Sequence, residues 1–69
     1  MREVLTELLA ARPFRHMIIV MNGASRYEVK NPDFVVWGKD VLNLYHERSD
    51  RYDVLRIAEI SSLEIIGPA

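Results

Sequence analysis

The chain contains no cysteine, and over only 69 residues that absence constrains it more than any other feature. A domain below about 70–80 residues rarely draws more than roughly 3–5 kcal/mol from one hydrophobic core, and small folds usually add disulfides or a structural metal. Disulfides and thiolate zinc sites are both excluded here. Two routes to stability remain: a very well packed core, or burial against another copy or a partner. The length permits one domain, spanning 1–69. Disorder is not expected, because 22 of 69 residues are Leu, Ile, Val or Phe and 9 Lys+Arg balance 10 Asp+Glu.

The net charge of −1 exerts no global pull toward nucleic acid or anionic lipid. No apolar run approaches the roughly 20 residues that cross a membrane. Glu3 and Glu7 interrupt the N-terminal apolar stretch, which argues against a signal peptide. A cytoplasmic setting with no membrane partner is the expectation.

Residues 2–12 read as a helix. Val4, Leu5, Leu8 and Leu9 fall on one helical face, Glu3 and Glu7 complement the positive end of the helix dipole, and Pro13 ends the ladder. About eleven residues make a marginal helix alone, so its apolar face must dock. From His16 the period changes to that of strands. Met17–Met21 is closed by Asn22-Gly23, a strong hairpin signal, and Arg26–Lys30 alternates. A two-residue loop there pairs Ile18 with Tyr27, and a three-residue loop at Asn22–Ala24 pairs Ile19 with Tyr27. Asn31-Pro32-Asp33 breaks the next strand before Phe34–Trp37 resumes it, and Gly38-Lys39-Asp40 turns the chain.

Val41–Glu47 and Tyr52–Ala58 form the clearest pair. A turn centred between Ser49 and Asp50 sets Leu42 opposite Ile57 and Leu44 opposite Leu55, with Asn43, Tyr45, Val54 and Arg56 on the other face. Glu59–Ser62 reads as a brief turn and Leu63–Ile66 as a last strand before Gly67-Pro68. Strands apolar on both faces suit a curled sheet that covers one face with its own interior. The predicted architecture is mainly β with one α-helix: a helix at 2–12, then a five-stranded, strongly bent antiparallel small barrel over 16–66, of the SH3-like or Sm-like kind. Phe14, Phe34 and Trp37 are expected to anchor the helix to the barrel.

This order resembles the Sm-like family of ring-forming RNA-binding proteins. Ile18–Gly23 is similar to that family's first strand and Asn-Gly turn, and Leu55–Ile60 to its second signature, a hydrophobic-Arg-Gly segment. Ile57 stands in place of that glycine, and Trp37 falls where the first signature carries an RNA-contacting Asn. The resemblance implies ring assembly and RNA contact through Arg56. A second likeness, to short bacterial proteins of no assigned activity, rests on Leu8–Phe14, the Asn-Gly hairpin and Asn31–Phe34.

Three kinds of chemistry have residues to support them, and each has a simpler reading beside it. His46 with Asp53, Glu47 and Asp50 nearby has metal-ligand character, but a cross-strand His–Asp pair accounts for the same residues, and zinc needs three or four convergent ligands. Ser25, Ser49, Ser61 and Ser62 lack a nucleophile elbow and read as turn residues. No catalytic residue and no cofactor is expected. Seven of the nine basic residues are Arg, and Arg48, Arg51 and Tyr52 cluster at one loop, so Arg48, Arg51 and Arg56 are the candidate nucleic-acid contacts. Interleaved Glu47, Asp50 and Asp53 equally suit a solvated, internally paired loop.

The leading expectation is a non-enzymatic, self-associating binding module, a homo-oligomer as dimer or ring, with contacts at Phe34, Val36, Leu63 and Ile65. The alternative is an Sm-like RNA-binding ring.

Overall fold

The computed structural model describes residues 1–66; the Gly67-Pro68 stop lies outside them. Helix α1 runs Arg2–Ala10 and buries Leu5 and Leu9, leaving Val4 49% exposed. It is two residues shorter than the spacing predicts. Pro13 disfavours helical backbone at Arg12, and the Arg12 guanidinium closes the end by donating to the carbonyls of Leu9 at 3.1 Å and Ala11 at 2.8 Å. These bonds partner acceptors near a helix end, where the last carbonyls lack helical donors.

Six strands follow: β1 (Met17–Met21), β2 (Arg26–Val29), β3 (Val35–Trp37), β4 (Val41–His46), β5 (Arg51–Arg56) and β6 (Ile60–Ile65). The protein is mainly β with one N-terminal helix, as predicted. Among the described residues, however, the pairing forms two antiparallel three-stranded sheets, β2-β1-β6 and β3-β4-β5, and no closed five-stranded barrel. Pro32 explains the extra strand. It lacks an N–H, the Asn31 side chain accepts from the Asp33 N–H at 2.9 Å, and Pro32–Phe34 wind into a 3-10 turn. The cut strand contributes β2 to one sheet and β3 to the other. Phe34 ends the turn instead of starting the strand.

The β1–β2 hairpin takes the three-residue alternative, pairing Ile19 with Tyr27. The Ala24 N–H donates to the Met21 carbonyl at 2.8 Å, and Ala24, not Gly23, carries the positive φ of 71°. That conformation costs an L-residue about 1–2 kcal/mol, while glycine adds only unfolded-state entropy. Ala24→Gly is therefore expected to stabilise the protein by about 0.5–1 kcal/mol, read as a higher urea midpoint. At the next turn glycine is needed for space: a Cβ on Gly38 would stand 2.6 Å from Val41 Cγ2.

The β4–β5 register differs from the expected one by two residues. Leu42 faces Leu55, Leu44 faces Asp53, and Tyr45 faces Tyr52, so Leu42 is not opposite Ile57. A two-residue slide keeps every side chain on its face, so the hydrophobic pattern cannot detect it. The loop decides: residues 47–50 make the turn, and Asp50 at φ 51° re-enters the strand. The last turn also moves. Ile57–Glu59 form a 3-10 turn, and β6 starts at Ile60 because that buried side chain pairs with Met21 across a bulge.

The core gathers Leu5 and Leu9 from α1, Met17, Ile19, Val29 and Ile60 from the first sheet, and Leu42, Leu44 and Leu55 from the second. Full burial of one such side chain is worth roughly 1.5–3 kcal/mol. Val35 and Trp37 pair with Leu44 and Leu42 and pack against this core. Phe14 joins them, and the Arg2 guanidinium lies 4.6 Å over the Trp37 ring, tying α1 to β3. Phe34 does not anchor the helix. Its ring meets Tyr45 edge-on, with centroids 5.6 Å apart.

Candidate functional site

The face of β3-β4-β5 turned away from the core carries two cross-strand rows. Val36, Asn43 and Val54 form one; Phe34, Tyr45 and Tyr52 form the other, the two tyrosine rings lying 5.1 Å apart. Val36, Val54 and Tyr52 are 56%, 61% and 64% exposed. Side chains of this size left this open are the features of the surface that the core does not explain. Of the residues expected at a subunit contact, Val36 belongs to this face and Phe34 flanks it. Ile65 is exposed on the other sheet, whereas Leu63 packs against the core.

One end of the β4–β5 hairpin is held by polar contacts. The Tyr45 hydroxyl donates to Asp50 Oδ1 at 3.0 Å, and His46 Nε2 lies 2.6 Å from Asp53 Oδ2. The His–Asp pair forms diagonally, since the shifted register sets His46 opposite Arg51. Arg51 also reaches Asp53, at 3.7 Å. Among the described residues no third His, Asp or Glu converges on them as metal ligands would. The hydrogen bond to Asp50 raises the Tyr45 pKa above the usual tyrosine value, with burial and nearby negative charge adding to it. The neutral phenol is thus the favoured form, and any stability it contributes is present below the ordinary tyrosine pKa and lost as pH rises through the raised one. Asp50→Asn is expected to move the Tyr45 midpoint back down, as an ultraviolet titration against wild type would record.

The three candidate arginines do not share a site. Arg48 and Arg51 sit at the turn end of the hairpin, and Arg56 ends β5, about 16 Å along the strand from Arg51. Arg56 lies 3.6 Å from Glu59 and lines a shallow concavity with Arg2, Asp40 and residues 57–59. Arg48 lines a different feature, a cleft of about 380 Å³ between β2 and the C-terminal end of β4. The strand break at Pro32 makes this cleft. β3 pairs with β4 only as far as Leu44, and β2 pairs only with β1, so the two sheets part there. Tyr27, Asn31, Phe34 and Glu47 also line it. The sequence places Tyr27 in the first hairpin and Glu47 in the β4–β5 loop and does not join them; the signal was the proline-interrupted strand.

No helix among the described residues is long and apolar enough to cross a membrane. Comparison with known proteins gives no match to any family, curated protein or solved structure.

Proposed function

We propose that this protein is a small, SH3-like or Sm-like barrel module that acts by binding and assembles with copies of itself. The observation that carries this reading is the pair of six-residue outer strands. Among the described residues β5 and β6 each pair on one side only, and β5 adds Tyr52 and Val54 to the exposed apolar face. An outer strand with free backbone groups is a template for a further strand. Pairing β5 of one copy with β6 of the next is a heterologous contact, which closes into a ring where the rotation permits; face-to-face burial of Val36, Tyr52 and Val54 is the dimeric form. The two sheets, bridged by 3-10 turns at Pro32–Phe34 and Ile57–Glu59, support the barrel comparison. In this reading the protein is not an enzyme, needs no cofactor and works in the cytoplasm.

Light scattering tests the assembly. A mass that is a multiple of 8.0 kDa at micromolar concentration is expected, and Val54→Glu with Tyr52→Glu should shift it toward the protomer without unfolding it. A wild-type species of 8.0 kDa with a concentration-independent melt would defeat the proposal.

The second reading, an Sm-like RNA-binding ring, is favoured by the place of Arg56 and Arg2 on one concavity beside the 57–59 turn. Protein carrying RNA should show excess absorbance at 260 nm that salt removes. Where Arg48, Arg51 or Arg56 neutralises a phosphate, its replacement by Ala should shallow the log–log salt slope by about one unit. No binding to poly(A), poly(U) or duplex at low salt removes this reading.

A further inference from the structure

The cleft between β2 and the end of β4 has free recognition groups. Glu47 and Arg48 form no ion pair or hydrogen bond among the described residues, although both line the cleft. The Asn31 Oδ1 is taken by the Asp33 N–H, which leaves its amide nitrogen to donate. Tyr27 and Phe34 supply aromatic surface, and Leu44 apolar surface. The other charged side chains lining it are engaged: Arg26 with Glu64 at 2.6 Å, Lys30 with Glu28 at 3.7 Å and His46 with Asp53 at 2.6 Å. A volume of about 380 Å³ lies in the size range of small-ligand sites.

We propose that this cleft binds a guanine base. A carboxylate offers two acceptor oxygens side by side, and guanine offers two donors side by side, N1–H and N2–H. Its O6 and N7 form the acceptor pair that an arginine fork contacts bidentately. Glu47 and Arg48 carry those complementary groups, and Tyr27 and Phe34 place aromatic side chains on the same lining. Adenine presents a donor where guanine has O6 and lacks N1–H. Uracil has one N–H between two carbonyls, which repel the second carboxylate oxygen. Cytosine gives the carboxylate an amino group beside a bare ring acceptor. The ligand class is thus set by the pairing of an acid with a base in adjacent positions. It is independent of the Arg56 concavity, which lies at the other end of the hairpin.

A guanine ring reaches such a cleft as a free nucleotide or within a single strand. Amide chemical-shift titrations of the full chain with guanosine, GMP, AMP, UMP, CMP and a short single-stranded RNA holding one guanine distinguish these sources. Guanosine or GMP should perturb Tyr27, Asn31, Phe34, Glu47 and Arg48 and bind about tenfold or more tighter than AMP. Tighter binding of the RNA than of GMP marks the strand as the source, and equal binding marks the nucleotide. Glu47→Gln should bring the GMP-to-AMP ratio close to one, and Lys39→Ala, at an exposed side chain outside both concavities, should leave it unchanged. Both variants replace a side chain outside the buried core, and retained spectral dispersion shows that they fold. Equal affinity for all four bases, no perturbation by guanosine or GMP, or perturbation centred on Arg2, Asp40 and Arg56 overturns the proposal. None of these outcomes bears on the solution mass, so self-association stands or falls separately.

Discussion

Truncating Leu42, Leu44 or Leu55 to Ala is expected to destabilise the protein by about 2–5 kcal/mol, the range for a buried aliphatic whose cavity closes only partly. All three are at most 3% exposed, and Leu42 and Leu55 face each other across β4 and β5. For a chain with so small a core, a loss of that size approaches the whole stability margin. Asn43→Ala and Arg56→Ala, on the opposite face, should change stability by about 0.5 kcal/mol or less. Urea midpoints at one fixed protomer concentration give the comparison. Similar losses in the two sets would mean that the facing of β4 and β5 is wrong.

The second large effect concerns the helix. Leu5 is 0% exposed and sits with Leu9 in the cluster that both sheets share. Leu5→Asp places a carboxylate where the surrounding cluster is apolar, so α1 must undock or the core must admit water. A nine-residue helix does not persist alone in water, so undocking also melts it. Loss of the cooperative thermal transition and of the helical circular-dichroism signal is expected. Thr6→Asp, one position along and exposed, should retain both. A cooperative melt in Leu5→Asp near the wild-type temperature would show that α1 is dispensable to the core.

The exposed face of β3-β4-β5 and the cleft beside it have one structural origin. Pro32 removes a ladder donor and turns the chain, so β3 is three residues long and leaves the end of β4 without a partner on that side. The same break sets Phe34 against Tyr45 and carries the aromatic row across the sheet to Tyr52. Proline here does more than end a strand: it separates two sheets whose opposing inner faces share a core.

What the sequence determined by itself was facing and order. Period-2 alternation assigned Leu42, Leu44 and Leu55 to the interior and Asn43 and Arg56 to the surface, because a side chain's face depends only on its parity along the strand. Helical spacing likewise put Leu5 and Leu9 on the docked face, together with Leu8, which is partly buried, and Val4, which the structure leaves exposed; Pro13 and Pro32 marked the breaks, since a missing N–H acts locally. The tertiary structure decided what parity leaves open. The two-residue slide that pairs Leu42 with Leu55 came from the turn at 47–50, and the choice of Ile19 opposite Tyr27 came from Ala24 entering the left-handed region. The site was the least legible part for the same reason. Tyr27, Asn31, Glu47 and Arg48 lie on separate segments, and only the parting of the two sheets brings them to one cleft. Local chemistry sets which face a residue takes; long-range packing sets which residues meet.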